Sequence, residues 1–344
     1  MSIWVDKLLS WFADNKRPLP WRKDRDPYRV WVSEIMLQQT RIEAVMDYYA
    51  RFMQAFPTVQ DLAAAPIEKV LKLWEGLGYY SRARNLHKTA VKVAEMGSFP
   101  KTYEELRRLP GIGEYTAGAI AAIAFGEPVC AIDGNVMRVV SRLYALEQDV
   151  LLPAAKKNVE VLLNAEYPKD RASDFVQGLM ELGELICLPQ SPKCEICPVQ
   201  ALCKARAEGR ETSLPVRLPR TKQKAQERVV FILVSAGRVL LTKRDEKGVL
   251  GGLWEYPNVE AGALEEALPI LKEEYGLEAT EMEYISRVTH VFTHIRWQMA
   301  VYKGKAKDDV NLAALRRPYI WADVDALEEE VMLPTAFRKI KWRD

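Results

Sequence analysis

The chain has 344 residues, 49% hydrophobic and 28% charged, enough apolar material for two cored domains. No run of eighteen apolar residues exists, and Met1-Ser2-Ile3-Trp4 opens without a basic stretch and apolar core. A membrane span and a secretory leader are therefore not expected, and a cytoplasmic protein with reduced thiols is. A formal net charge of +2 excludes nucleic-acid binding by bulk charge alone, so such a partner would need local basic patches.

Residues 16–29 form one such patch, with six basic and two acidic residues interleaved with Trp21 and Tyr28. The mix suits phosphate contact and base stacking, and equally a solvated charged loop. The run Val30 to Thr40 reads as a helix in which Glu34 has Val30 one turn before it and Leu37 one turn after it. A carboxylate in an apolar row is expensive to bury ionised, so its pKa should rise, as a general acid near neutral pH requires. At the edge of the helix face it would instead stay in water. Residues 44–95 read as amphipathic helices broken by Leu73 to Arg82, where Gly76 and Gly78 flank Leu77 ahead of Tyr79 and Tyr80. The tips of such a loop can wedge between base pairs or simply join two packed helices.

Leu109-Pro110-Gly111-Ile112-Gly113 sits between two helical runs. Pro110 suits a turn, and Gly111 and Gly113 allow backbone shapes that other residues resist. A hairpin of this kind aims N–H groups at a DNA phosphate from a helix N-terminus. Thr116 to Phe125 is apolar on nearly every face and reads as a buried helix. Asp133 precedes Val136, Val139, Val140 and Leu143, which share one helical face. A carboxylate thus stands at a helix start, as a plain N-cap or with a chemical task.

Helical periodicity continues over 151–186, and no strand signal precedes residue 210. Cys187, Cys194, Cys197 and Cys203 then form a C-x6-C-x2-C-x5-C array. Four thiolates hold zinc or a cubane iron–sulfur cluster, and a single C-x2-C pair leans toward the cluster. Cys130 stands apart as an ordinary buried thiol. Residues 209–228, punctuated by Pro215 and Pro219 and rich in basic residues, read as a linker near nucleic acid. Strand periodicity follows at Val229 to Val234 and Arg238 to Thr242, joined through Ala236-Gly237 as a hairpin. A helix over 263–275 and one or two strands over 284–304 complete an α+β domain with antiparallel strands.

Taken together, Arg17-Pro18-Leu19-Pro20-Trp21-Arg22, Ser33-Glu34-Ile35-Met36-Leu37-Gln38-Gln39-Thr40, Gly76-Leu77-Gly78-Tyr79-Tyr80, Leu109 to Thr116, Asp133-Gly134-Asn135-Val136, the cysteine array and Leu253-Trp254-Glu255-Tyr256-Pro257 are specific. The chain resembles the helix-hairpin-helix DNA glycosylase superfamily, and within it the MutY-type adenine DNA glycosylases. The resemblance implies a multidomain fold. Residues 1–208 would form an all-α six-helix barrel with the helix-hairpin-helix and a [4Fe-4S] cluster subdomain on Cys187, Cys194, Cys197 and Cys203. Residues 209–228 would be the linker, and 229–344 an α+β Nudix-like domain that recognises 8-oxoguanine. It also implies the reaction, which is base-excision removal of adenine mispaired with 8-oxoguanine or guanine in double-stranded DNA. The enzyme would be a bacterial, nucleoid-associated monomer.

The same resemblance carries residues. Glu34 matches the group that protonates adenine, and Asp133 the one that stabilises the cationic sugar. Tyr115 and Asn135 match residues that position and hydrogen-bond the Asp side of the site. Arg17, Leu19, Trp21, Arg22, Leu37 and Gln177 match the adenine pocket, and Gln39 and Tyr79 the intercalators near the opposite base. Thr40, Leu77 and Thr293 match its recognition, with Phe292 and His294 in the same loop as Thr293, and Gly111 and Gly113 match the phosphate grip. Lyase relatives of the endonuclease III type carry a lysine where this chain has Tyr115, so backbone cleavage through a Schiff base lacks its amine. The C-terminal domain keeps Glu273 and Glu274 of the Nudix box. It has Pro269 and Ile270 at the Arg-Glu positions, and Glu255 and Ala261 at the upstream Gly and Glu positions, so binding without hydrolysis is expected. A pyrophosphohydrolase and a non-catalytic DNA-binding module are the rival readings.

Overall fold

Capping chemistry and apolar faces set the helices of the first part of the chain. A computed structural model describes residues 2–218, 224–245, 248–292, 294–307, 317–325, 327, 331 and 333–343. Its helices are α1 (Ile3–Asn15), α2 (Pro27–Leu37), α3 (Ile42–Ala55), α4 (Val59–Ala64), α5 (Ile67–Leu73), α6 (Ser81–Met96), α7 (Tyr103–Leu106), α8 (Glu114–Phe125), α9 (Gly134–Tyr144), α10 (Pro153–Glu166), α11 (Ala172–Leu185) and α12 (Lys204–Ala207). Among the described residues no strand precedes Lys224. Asp26 accepts from the Tyr28 N–H and Pro27 occupies the first position of α2, so the helix starts three residues before the apolar run at Val30. Thr58 and Asp61 cap α4 reciprocally. Helix α8 is buried along nearly its whole length and packs against α2 and α11. A core of Leu8, Val136, Val140, Leu143, Phe175, Leu179 and Leu182 joins α1, α9 and α11.

The chain divides into two units, Met1–Leu73 with Ser81–Pro219, and Trp74–Tyr80 with Arg220–Asp344. The expected boundaries shift accordingly. The Trp74–Tyr80 loop groups with the C-terminal unit, where Glu75 pairs with Arg338 at 3.5 Å. The expected linker is folded at both ends. Arg210 to Leu214 continue the helical unit, since the Leu214 carbonyl accepts from Arg142 Nε at 2.8 Å and the Leu214 N–H donates to the Arg210 carbonyl. At the other end Lys224–Arg228 already pair within the sheet.

Seven strands, β1 (Lys224–Ser235), β2 (Arg238–Lys243), β3 (Trp254–Glu255), β4 (Asn258–Glu260), β5 (Ala279–Val291), β6 (Ile295–Ala306) and β7 (Tyr319–Asp323), form the sheet of the second unit. The hairpin through Ala236-Gly237 is present, with Val234 opposite Val239. One expectation fails: β1 and β6 run parallel over Lys224–Leu233 and Ile295–Gly304, so the sheet is mixed. Sequence periodicity reports which residues face inward but not the direction of a partner 71 residues away, so the parallel pairing left no local trace. Helix α13 (Leu264–Tyr275) covers one face with Ala267, Leu271 and Tyr275 against Val229, Phe231 and Leu233. On the other face Leu333, Phe337 of α14 (Thr335–Arg338), Ile340 and Trp342 pack on Val230, Ile232 and Trp297.

Candidate active site

Glu34 lies on α2, whose residues from Val30 to Met36 are all buried, and its own exposure is 6%. Removal from water is the largest influence on it and pushes its pKa up to about 7, against a hydrogen bond from Tyr115 and the charge of Arg22. Asp133, opposing it as a like charge, adds to the rise. The solvated alternative for Glu34 is thereby excluded. The helix ends sooner than its apolar pattern suggested. Gln38, Gln39 and Thr40 lie beyond Leu37, with Gln39 at φ +60°. The α2 carbonyls left at this end are taken by Arg82, whose Nη1 donates to the carbonyls of Ile35 and Gln38 at 2.7 and 2.6 Å.

Asp133 caps α9, accepting from the Val136 N–H at 2.7 Å through Oδ1, and its Oδ2 accepts from Asn135 Nδ2 at 3.1 Å. It therefore serves both as cap and as a wall of the cavity described below. Burial raises its pKa, and the two hydrogen bonds oppose the rise. Asn135 in turn accepts from Arg138 Nη2 at 2.6 Å, and Arg138 Nε donates to the Cys187 carbonyl at 2.7 Å. Close approach of α11 to this helix start depends on Gly183, where an added Cβ would stand 2.6 Å from Asn135 Cβ. The Tyr115 hydroxyl donates to Glu34 Oε2 at 2.5 Å and lies 3.8 Å from Met180 Sδ, and the charge of Asp133 acts on it as well.

Glu34, Asp133, Tyr115 and Asn135 line one cavity of about 430 Å³, within the range of small-molecule sites. Arg17, Leu19, Trp21, Arg22, Leu37, Gln39, Thr40 and Gln177 line it too. Glu181, Glu184, Gln38 and Met180 also line it and were missed from the sequence. Gln177, Glu181 and Glu184 follow i, i+4, i+7 spacing on α11, so the face that carries one carries all three. Glu181, 1% exposed, binds Arg17 through both carboxylate oxygens at 2.8 and 2.9 Å and Arg22 at 2.8 Å. Burial alone would raise its pKa, but these hydrogen bonds outweigh it and hold the carboxyl at about 2.

Leu77, Tyr79, Phe292 and His294 belong to the other unit. Thr293 lies outside the described residues. Gly111 is exposed at φ +72°, and an added Cβ there would strike Asn85 at 2.6 Å. Gly113 is the extended, exposed N-cap of α8 and makes no side-chain cap bond, which leaves the first turn to water or an anion. Thr89 Oγ1 fixes the hairpin by donating to the Pro110 carbonyl at 2.5 Å.

Cys187, Cys194, Cys197 and Cys203 line one pocket with Val139, Leu143, Leu182 and Val199, and none is in a disulfide. Among the described residues no three His, Cys, Asp or Glu side chains converge closely enough for a single metal ion. Four thiols around one apolar space can hold a metal group. Arg142, 2% exposed, donates to Cys187 Sγ at 3.3 Å, the kind of N–H to sulfur contact that tunes such groups.

Residues 32–168 match the HhH-GPD superfamily base excision DNA repair proteins, residues 187–203 the iron–sulfur binding domain of endonuclease III, and residues 229–341 the NUDIX domain. The chain is 39% identical over 355 residues to the adenine DNA glycosylase of Rattus norvegicus, spanning 86% of this chain and 69% of that protein. It is 36% identical over 268 residues to the adenine DNA glycosylase of Buchnera aphidicola subsp. Baizongia pistaciae, spanning 74% and 73%. Its fold is similar to a thermostable thymine-DNA glycosylase (TM-score 0.54, 28% identity, 60% of this chain and 96% of that one). It is also similar to endonuclease III in a non-covalent complex with DNA (TM-score 0.51, 28% identity, 60% and 94%).

Proposed function

Because the chain belongs to the adenine DNA glycosylases, within the HhH-GPD superfamily, we propose that Glu34 and Asp133 together detach adenine mispaired with 8-oxoguanine or guanine from its deoxyribose. The protein is a base-excision repair enzyme that acts on DNA. Its helical glycosylase domain carries an iron–sulfur cluster, and a NUDIX domain follows.

The bond to be broken is N-glycosidic, and its transition state has oxocarbenium character. Adenine leaves poorly as an anion, so it must be protonated, and it must first leave the base stack. The observation that carries the reading is Glu34, buried yet poised near pH 7 in a cavity that it shares with Asp133. Glu34 delivers its proton to adenine N7. Asp133, ionised and fixed by Val136 and Asn135, stabilises the cationic sugar, as a transient adduct, until water attacks. Two carboxylates in unlike environments divide the labour as in glycoside hydrolysis. Tyr115 cannot form an imine, so the enzyme is monofunctional.

Arg17, Leu19, Trp21, Arg22, Leu37 and Gln177 hold the adenine, and Gln39 and Tyr79 intercalate beside the opposite base. Thr40, Leu77, Phe292, Thr293 and His294 read that base, and Gly111 and Gly113 grip phosphate. Cys187, Cys194, Cys197 and Cys203 hold the cluster as [4Fe-4S]. When bound it cross-links the end of α11 to the loop through Cys203. The protein acts as a monomer.

Incubation with duplex DNA containing adenine opposite 8-oxoguanine, then alkali, reveals abasic sites. The parent protein should produce them under single-turnover conditions. Glu34→Gln should lose about a hundred- to ten-thousandfold in rate. Asp133→Asn keeps a capping oxygen, so it should fold and yet fail to excise. Near-parental excision by either variant would remove the assignment. Metal analysis of freshly purified protein should give four irons per chain, and two irons or zinc would refute the [4Fe-4S] form.

A further inference from the structure

Six charged or titratable groups share the cavity with Glu34: Arg17 ahead of the short turn at Pro20–Arg22 and Arg22 at its end, Tyr115 from α8, Asp133 at the cap of α9, and Glu181 and Glu184 from α11. Arg22 acts on Glu34 and favours its ionised form. Beside carboxylates as buried as Glu34 and Glu181, an untethered guanidinium would settle on one of them, where charge-assisted pairing is strongest. Arg22 is not untethered. Its Nη2 donates to Glu181 Oε2 at 2.8 Å and its Nη1 to the Arg17 carbonyl at 3.3 Å, and its guanidinium lies 5.6 Å from the centre of the Phe12 ring.

Glu181 is the anchor of this arrangement. It accepts from the Arg17 backbone N–H at 3.1 Å and from Arg17 Nε and Nη2, so it is fixed in place before Arg22 reaches it. Two carboxylates compete for Arg22, and the one that wins is not the proton donor. We infer that Glu181 is a positioning residue that sequesters Arg22 and thereby keeps Glu34 in its protonated, base-protonating form. The inference rests on the reading of Glu34 as the acid.

Two substitutions with opposite expected signs test it. Glu181→Gln keeps the shape but surrenders the charge, so Arg22 is released toward Glu34. The upper limb of the pH profile for single-turnover excision should move down by about one pH unit, a tenfold loss of rate above it. Arg22→Gln should move the limb up, whatever it does to the overall rate. Damage to folding or binding lowers the rate at every pH and cannot shift the limb in opposite directions. Limbs that stay put, or move together, overturn the inference. If Glu181→Gln fails to fold, Arg22→Gln decides alone: an unmoved or lowered limb overturns it, and a raised one supports it.

A direct titration separates this inference from the assignment beneath it. Carboxyl-labelled glutamate, with the Glu34 signal identified by its loss in Glu34→Gln, reports Glu34 without any catalysis. Opposite shifts in that titration from a protein that excises nothing would leave the role of Glu181 standing and sink the acid role of Glu34. Excision by the parent together with an unmoved titration would overturn the role of Glu181.

Discussion

Glu34 in the helical unit and Glu255 in the sheet unit are both buried carboxylates, 6% and 0% exposed, and they have opposite company. Glu34 receives a phenol hydrogen bond from Tyr115, and the nearby Arg22 is tied to Glu181. Glu255 receives Arg244 Nη1 at 2.5 Å and Asn258 Nδ2 at 2.8 Å, with Arg317 Nη1 at 3.7 Å. Burial raises the proton affinity of both, but at Glu255 two arginines and an amide oppose it. The difference teaches what a buried acid is for. One stripped of cations stores a proton that a substrate can use, and one surrounded by them joins strands. Glu181 extends the lesson within the helical unit, since burial beside two arginines leaves it ionised next to a neighbour that is not.

The largest effect outside catalysis should come from upsetting the compensated acid. Arg244→Met removes the closest cation from Glu255 and leaves its buried charge to Asn258, to the longer ion pair with Arg317 at 3.7 Å and to the charge of Arg228. A loss of about 3–5 kcal/mol is expected from the sheet unit. Native-state hydrogen exchange on the full chain reads this locally, as reduced protection of β1 and β2 amides while α8 and α9 keep theirs. Unchanged protection in β1 and β2 would mean that Glu255 does not depend on its cations, and the contrast would collapse.

Legibility from sequence follows the range of the interactions. The hairpin glycines, the buried α8 and the cap at Asp133 are local events, written in a few adjacent residues, and the sequence displayed them. Glu34 was visible as a carboxylate in an apolar row, but whether it was covered depended on α8 and α11, more than 70 residues downstream. Glu181 was invisible for the same reason. On paper it is one acid on an amphipathic helix, and only the fold brings Arg17 and Arg22 to it across 164 and 159 residues. The hydroxyl of Tyr115 faces Glu34 because α8 packs on α2, which spacing within α8 does not encode. The parallel β1–β6 pairing and the grouping of Trp74–Tyr80 with the sheet unit belong to the same class.

A smaller effect sharpens the comparison from the other side. If Glu34 holds a proton against its ordinary tendency, folding bears a cost that depends on pH. Below pH 4.5 the carboxyl is protonated in both folded and unfolded chains, and no cost arises. Between 4.5 and about 7 the unfolded chain gives up its proton while the folded one keeps it, so stability falls as pH rises through that window. Above about 7 the cost is complete, on the order of 3 kcal/mol for a shift of this size. Glu34→Gln cannot ionise and still offers Tyr115 an acceptor oxygen. It should therefore match the parent in stability near pH 4 and exceed it at pH 8, by an amount that grows across the window and then levels. Denaturant unfolding of the two proteins followed through the helical signal at both pH values measures this. Equal stability at pH 8 would mean that Glu34 ionises freely in the fold, and a freely ionised carboxylate has no proton to give to adenine.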